Sequence, residues 1–280
     1  MAISITTLIE NSPGEHLALK TEHGISFFLQ KKDRRLLFDT GQSHRFLENA
    51  RELGIGMDDL DYVVLSHGHY DHTGGFRALC DRTAGFELVM GGGFFDLKYG
   101  YRNGSYEYLG NNFDEAFLRN RAIPHRFVHD RITDLGDGIY IVTDFVRRHD
   151  DETVNERFVL RQDGRTIPDR FDDEILVAVD SPDGLIILLG CAHPGMKNML
   201  DTAAEALDRP IAAVLGGTHL VEASRRSLER SVAYLSDESI RYLGVSHCTG
   251  ATGMQLLEEL NPRYFHNRTG TSLFVEDTVS

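Results

Sequence analysis

The sequence predicts an α/β fold in which layered β-sheets are covered by helices. Short runs of branched and aromatic residues recur in both halves of the chain, separated by turn-forming residues, as is typical of β-strands. Stretches with apolar residues at helical spacing alternate with these runs. No segment rich in proline, glycine and serine divides the chain, so we expect a single domain over residues 1–280.

The first half contributes three strands, one helix and a further buried strand. The apolar residues of the helix share one stripe, and Gly54 ends the pattern. The last strand leads directly into the sequence SHGHYDHTGG. In chain order these elements are predicted at residues 3–9, 25–30, 34–38, 43–53 and 62–65.

The second half repeats this alternation after a less regular middle. Residues 91–164 are richer in Asn, Arg, Asp and Tyr and lack regular apolar spacing. We expect them to form an irregular elaboration over one face of the core. Beyond it, strands are predicted at residues 175–179, 185–189, 211–215 and 242–245. Helices are predicted at residues 195–207 and 224–235, and part of one at 255–260.

Composition excludes several classes of protein. The chain has 29 Lys and Arg residues against 43 Asp and Glu residues, a net charge of −14 that disfavours nucleic acid as a partner. Its longest apolar run, at residues 184–192, is far shorter than the roughly 20 residues of a membrane span. Three cysteines are too few for a disulfide framework, and the N-terminus lacks the basic start of a secretory signal. We therefore expect a cytoplasmic protein. Nothing in the sequence indicates an oligomeric state.

The strongest chemical signal is a loop that contains His67, His69, Asp71 and His72. Isolated histidines usually cap backbone groups, but four ligand-type side chains in one loop favour a metal site. His67 and His69 flank a single glycine, so both rings can face one ion, and the two later residues can turn towards a second. Imidazole and carboxylate ligands suit Zn²⁺, and also Fe²⁺ or Mn²⁺.

One loop cannot complete a coordination shell, so ligands from distant parts of the chain are required. His193 and His247 each follow an apolar strand, at the turn where that strand ends. Strand ends on one edge of a sheet bring such side chains together. His219 has the same context, and a different role is possible for it.

These motifs resemble the metallo-β-lactamase fold superfamily, whose signature H-x-H-x-D-H is matched at residues 67–72. The resemblance is closer still to a family of metal-dependent hydrolases that includes the 7,8-dihydropterin-6-methyl-4-(β-D-ribofuranosyl)-aminobenzene-5'-phosphate synthases. It implies an αββα sandwich, two mixed β-sheets flanked by helices. The matching elements are EHGIS at 22–26, FDTGQS at 38–43, SHGHYDHTGG at 66–75, GCAHPG at 190–195, GGTHL at 216–220 and SHCTG at 246–250.

The resemblance also implies roles for individual residues. His67, His69 and His193 would bind one divalent ion, and Asp71, His72 and His247 a second. Asp39 would hold a ligand histidine in place. Most two-metal members of the superfamily have a bridging aspartate between the last two histidine ligands, but residues 215–219 contain no carboxylate. Either His219 replaces it as a ligand, or it contacts substrate, or the second ion binds weakly; one or two ions are therefore expected.

Several weaker features can be interpreted either as part of a functional site or as ordinary structure. Lys98, Tyr101 and Arg102 either bind a substrate phosphate or are scattered surface charge and aromatic area. Cys191 and Cys248 are expected to be packed, inert thiols. The acidic residues 172–174 are expected to form a solvated turn, and His23 to have a structural role.

The resulting functional hypothesis is a metal-dependent hydrolase with Asp71 and His219 as catalytic residues. A metal-activated water molecule would attack an ester or phosphoester of a small anionic substrate. The resemblance also suggests a pterin-precursor synthase, and a catalytically silent metal-binding effector has the same ligands. A flavo-diiron protein is not expected, because His69 stands where that class has a carboxylate, and 280 residues leave no room for a flavodoxin domain.

Overall fold

The computed structural model describes residues 2–276. Strands and helices alternate in both halves, as the sequence predicts. The strands are β1 Ala2–Ile9, β2 Ser26–Lys31, β3 Arg34–Phe38, β4 Tyr62–Val64, β5 Glu87–Gly91, β6 Leu97–Arg102, β7 Ser105–Tyr108, β8 His125–Val128, β9 Ile132–Gly136, β10 Ile139–Val142, β11 Phe158–Gln162, β12 Arg165–Pro168, β13 Leu176–Ser181, β14 Gly184–Leu189, β15 Ile211–Gly217, β16 Tyr242–Ser246 and β17 Ser272–Glu276. The helices are α1 Arg45–Glu52, α2 Tyr70–Thr73, α3 Phe76–Arg82, α4 Glu115–Asn120, α5 Met196–Leu207, α6 Arg225–Leu235 and α7 Gly250–Leu260.

Two mixed sheets form the centre of the fold. The first has the order β17-β1-β2-β3-β4-β5-β8, and the second the order β16-β15-β14-β13-β10-β9. Strands β3, β4, β5 and β8 run parallel in the first sheet, as do β14, β15 and β16 in the second. The remaining pairs within these sheets are antiparallel.

The apolar sequence of each strand explains why both faces of each sheet are covered. Successive side chains of a strand point to opposite faces. In β3, Leu36 packs in the core shared by the two sheets, whereas Leu37 packs against α1 and α3. In β14, Leu188 joins the same central core and Ile187 packs against the helices of the second half. The predicted αββα arrangement of two mixed sheets between helices is confirmed.

The predicted irregularity of residues 91–164 is wrong. Strand β8 extends the first sheet, and β9 and β10 extend the second. The remaining strands of this region, with β12 beyond it, form an antiparallel sheet of order β12-β11-β6-β7. All residues of β7 and β12 are exposed, so these strands lack the apolar alternation by which strands are recognised in a sequence.

The third sheet is anchored to the central sheets through Lys98, which is buried rather than presented to solvent. Its Nζ lies 2.8 Å from Asp169 Oδ2 and 2.8 Å from Asp173 Oδ1. The other oxygen of Asp173 accepts the backbone N–H of Gly68 at 2.9 Å. Both carboxylates are themselves buried, and this pairing leaves Lys98 unavailable to a substrate phosphate. The expectation that Lys98 binds substrate is therefore not met.

None of the helices formed by residues 2–276 combines the length and the apolarity needed to cross a lipid bilayer.

Replacing Lys98 tests this structural role. Lys98→Met leaves two buried carboxylates without their cation, so we expect the free energy of unfolding to fall by about 3–5 kcal/mol. Urea denaturation followed by circular dichroism measures it. Arg102→Met, at an exposed position of the same strand, is the matched control and is expected to unfold like the wild type. An unchanged urea midpoint for Lys98→Met would contradict the role.

Candidate metal centre

Predicted site residues from both halves of the chain meet where the parallel strands end. Asp39 follows β3, His219 follows β15 and His247 follows β16. These three residues, and Ala192 after β14, have φ between 49° and 60°, in the left-handed region that non-glycine residues rarely adopt. Such backbone conformations persist only where the surrounding structure enforces them, and they concentrate at functional sites.

Five predicted ligands and one cysteine form two overlapping groups. His67, His193 and Cys191 offer ligand atoms that all lie within 4.8 Å of one another. The second group consists of Asp71, His72, His247 and, again, Cys191, with its atoms within the same distance. All of these residues are buried. The structure thus brings together the residues assigned to each ion, apart from His69.

His69 lies beside the first group. Its Nδ1 is 3.1 Å from His67 Nε2. Among the residues of the described range 2–276, the buried Nε2 atoms of His69 and His193 have no hydrogen-bond partner. A buried polar atom without a partner costs about 1–3 kcal/mol, and a bound cation would remove that cost. Two such nitrogens facing the same group fit a divalent metal.

Asp71 is the centre of the second group. Its Oδ2 lies 3.4 Å from His247 Nε2, 3.7 Å from His72 Nε2 and 3.2 Å from His23 Nε2. His23 was expected to be structural, but it lies against a predicted ligand and is half exposed to the pocket described below. Its position within the element EHGIS was the one sequence signal that could have indicated this.

Buried hydrogen bonds orient the ligand rings. Asp39 Oδ2 lies 2.7 Å from His72 Nδ1, the contact that its expected role requires, and this leaves Nε2 to face the second group. Asn11 Oδ1 lies 2.9 Å from His247 Nδ1, and Glu10 accepts the backbone N–H of His247 at 2.7 Å. No spacing in the sequence relates residues 10 and 11 to position 247, so sequence reasoning missed them.

The acidic residues at 172–174 differ from the predicted solvated turn. Asp172 is exposed, whereas Asp173 and Glu174 are buried. Glu174 accepts the backbone N–H groups of Ala192 and His193 at 2.5 and 2.8 Å. It therefore fixes the loop that carries a predicted ligand. A run of acidic residues before a strand looks the same in sequence whether it is solvated or buried.

Only a glycine fits between the first two histidines, for a steric reason. A Cβ atom at Gly68 would lie 2.4 Å from the carbonyl oxygen of Phe94, so no larger residue fits without displacing backbone. Because Gly68 has no side chain, the loop can pack closely against residues 94 and 173 while the rings of His67 and His69 face the site.

The electrostatic environment keeps most of the ligand rings neutral, as metal binding requires. Burial lowers the pKa of His67, His69 and His193 well below the usual range. Burial also lowers the pKa of His247 to about 4, although Asp71 opposes the shift. His72 differs: burial lowers its pKa, but Asp71 and Asp39 outweigh that effect and raise it to about 9.

Above the two groups lies an open pocket of about 510 Å³. His69, Asp71, His193 and His247 line it, and so does His219, whose ring centre is 4.3 Å from that of His193. His219 belongs to neither group of ligands among residues 2–276. Of Lys98, Tyr101 and Arg102, the candidates for binding a substrate phosphate, only Arg102 is in the lining, together with Arg157, which the sequence did not single out. Lys98 and Tyr101 lie outside it.

Acid is expected to destabilise the metal-free protein. The pKa of His247 is about 4 in the folded protein, whereas the ordinary value is 6.5. Between these pH values the unfolded chain therefore binds more protons than the folded protein, and the free energy of unfolding falls as the pH falls. His247 alone should contribute a loss of about 1 kcal/mol between pH 7 and 5.5. Denaturation of chelator-treated protein at both pH values measures this. His247→Asn should lose less stability between the two pH values than the wild type. The control His44→Asn, at an exposed position, should lose as much as the wild type. Equal losses in all three proteins would refute the expectation.

Comparison with known proteins agrees with this geometry. The chain is 27% identical over 262 residues to a protein of Methanocaldococcus jannaschii named 7,8-dihydropterin-6-methyl-4-(beta-D-ribofuranosyl)-aminobenzene-5'-phosphate synthase, covering 89% of this chain and 88% of the relative. Among solved structures it is similar to Tm1679, described as a metal-dependent hydrolase of the beta-lactamase superfamily, with TM-score 0.84, 28% identity and coverage of 98% and 100%. It shares its fold with a diphosphatase from the PhnP family, with TM-score 0.58, 17% identity and coverage of 100% and 99%.

Residues 21–195 match the metallo-beta-lactamase superfamily over more than half of the chain. With the histidine and aspartate groups at the strand ends, this match shows that the chain belongs to the metallo-beta-lactamase superfamily.

Proposed function

We propose that this protein is a metal-dependent hydrolase that cleaves an ester or phosphoester bond in a small anionic molecule. The observation that carries the proposal is the pocket of about 510 Å³ with predicted metal ligands in its lining and two arginines beside them. Its volume suits a small molecule rather than a polymer. The superfamily membership and the name of the solved relative Tm1679 support the same class of reaction.

The ligand residues fit one or two divalent ions, with Zn²⁺ favoured and Fe²⁺ or Mn²⁺ as alternatives, because imidazole and carboxylate donors suit all three. His67, His69 and His193 would bind the first ion, and Asp71, His72 and His247 the second. Such ions supply a Lewis acid and a water molecule activated for nucleophilic attack near neutral pH. Asp71 would orient that water through its carboxylate.

The two arginines would bind the anionic part of the substrate. Arg102 and Arg157 both line the pocket. Arg157 is held in place by Glu222, which accepts from its Nε at 2.7 Å, and by the Phe158 ring, whose centre is 3.9 Å from the guanidinium carbon. A guanidinium can form two parallel hydrogen bonds with a phosphate or carboxylate. These cations would attract an anion locally although the net charge of the chain is −14.

His219 would contact the substrate rather than a metal. Its ring lines the pocket, outside both ligand groups of the described residues. Burial lowers the pKa of His219, so the ring is neutral near pH 7 and can donate one hydrogen bond to a substrate oxygen. In this position it would stabilise charge that develops on the reacting group.

A second candidate is a synthase of the kind named for the Methanocaldococcus jannaschii relative, with 27% identity over 89% of this chain. The pocket would then accept a pterin precursor and a ribose phosphate. Phe158 and Tyr70 line it and offer aromatic surface for a flat ring. Calorimetry with a pterin and with ribose 5-phosphate separates the two candidates, because a simple hydrolase needs neither ligand.

Metal dependence tests the hydrolase. Protein stripped by a chelator and then supplied with Zn²⁺, Mn²⁺ or Fe²⁺ is assayed with p-nitrophenyl esters of acetate, phosphate and phosphodiester type. We expect hydrolysis of at least one ester, its loss on chelation and its return with metal. His69→Ala should lower kcat/KM by more than about 100-fold, whereas His44→Ala, at an exposed histidine, should not change it.

Two outcomes would contradict the proposal. Full activity in the chelated protein would exclude a metal-dependent reaction. Bound metal without turnover of any ester class would favour the catalytically silent metal-binding effector.

A comparison of KM for anionic and neutral substrates tests the proposed role of the two arginines. Arg157→Gln and Arg102→Gln should each raise KM for an anionic phosphodiester by about 10-fold or more, since a hydrogen bond to a charged group contributes about 1.5–3 kcal/mol. KM for a neutral ester should not change. Arg161→Gln is the matched control, because Arg161 packs on Tyr99 and Tyr106 of the same sheet and is not in the pocket lining. Equal effects on anionic and neutral esters would refute the assignment.

A further inference from the structure

Cys191 lies where the two groups of predicted ligands meet. Its Sγ belongs to both groups, the one with His67 and His193 and the one with Asp71, His72 and His247. It is the residue that the two groups share within the described range 2–276. The Sγ atom is 3.2 Å from His72 Nε2, and the side chain is buried. This position differs from that of a thiol packed among apolar side chains.

The end of β15, where a bridging carboxylate is expected, cannot provide one. A Cβ atom at Gly216 would lie 2.0 Å from Leu189 O. A Cβ atom at Gly217 would lie 2.4 Å from Gly190 O and 2.5 Å from Cys248 Sγ. The hydroxyl oxygens of Thr218, the next residue, and Thr249 lie 2.9 Å apart and share a hydrogen bond. A protein ligand shared by two ions would therefore come from another strand end.

The loop after β14 holds Cys191 in that place. Glu174 Oε1 lies 3.3 Å from the backbone N of Cys191 and 2.5 Å from that of Ala192. Ala192 has the positive φ of 60° that turns the chain back after the cysteine. Buried hydrogen bonds thus hold the backbone that carries Cys191 beside both ligand groups.

We propose that Cys191 is a metal ligand, a thiolate shared by the two ions in place of the missing carboxylate. This inference rests on the metal dependence proposed above and extends it to the donor set. On binding, the S–H bond releases its proton to solvent and sulfur donates a lone pair to the metal, so no electron is transferred. Sulfur is a soft donor, so the site would prefer Zn²⁺ to Mn²⁺ or Mg²⁺.

Cys248 provides a matched control. It lies close to Cys191, and its Sγ donates to the carbonyl oxygen of Cys191 at 3.5 Å and accepts the backbone N–H of His219 at 3.3 Å. It belongs to neither ligand group among the described residues. The two cysteines are therefore similar in position and differ in the contact that the proposal requires.

X-ray absorption of the zinc-loaded wild-type protein tests the proposal without any substitution. We expect a zinc–sulfur distance of about 2.3 Å beside the shorter zinc–nitrogen and zinc–oxygen distances. The cobalt-loaded protein should show a sulfur-to-metal charge-transfer band in the near ultraviolet. Both signals should persist in Cys248→Ser and disappear in Cys191→Ser and Cys191→Ala. Zinc affinity of the Cys191 variants, from competition with a chelating dye, should fall by about 10-fold or more.

The outcomes separate this inference from the proposed function. Zinc bound by nitrogen and oxygen alone in the wild type overturns the thiolate ligand, and ester hydrolysis by that protein would leave the metal-dependent function standing. Failure of the wild type to bind any divalent ion overturns both. A sulfur signal that disappears in Cys248→Ser and persists in Cys191→Ser overturns the assignment to Cys191.

Discussion

The apolar core between the two sheets is the constraint on which the site depends. Leu36 and Leu188, from different sheets, pack into one core because each strand directs alternate side chains inward. That packing holds the carboxyl ends of β3 and β4 close to those of β14, β15 and β16. Ligands separated by more than a hundred residues in the chain, such as His67 and His193, then lie within 4.8 Å at Nε2 or Nδ1.

Because the candidate ligands are buried, the charged groups around them need partners that compensate their charge. Lys98 neutralises two buried carboxylates, and one of these, Asp173, holds the backbone of the metal loop. Burial raises the pKa of Glu174 to about 8, even though the N–H groups of Ala192 and His193 lower it. These acidic groups bind backbone rather than solvent, so the loops that present the ligands are held by buried hydrogen bonds.

The proposed preference for an anionic substrate depends on the charges around the pocket rather than on the net charge. Most of its carboxylates lie on the outer surface, where salt screens them beyond about 10 Å. Arg102 and Arg157 line the pocket, together with the acidic residues Glu10, Asp71 and Glu107. In the proposed function, the two arginines and the bound ions would offset these carboxylates for an anionic substrate.

In the sequence by itself, apolar periodicity indicated an α/β fold and the loop around His67 indicated a metal site, because both are local patterns. The resemblance to the superfamily implied the αββα arrangement and the distant candidate ligands. The sequence did not reveal strands β7 and β12, whose exposed residues carry no apolar alternation. It left Lys98 either at a substrate phosphate or on the surface and placed Glu174 in solvent, since a charged residue has the same local pattern whether it is exposed or buried. Only the tertiary structure decided these points, and it alone placed the sulfur of Cys191 between the two ligand groups, because those contacts join strand ends that are distant in the chain.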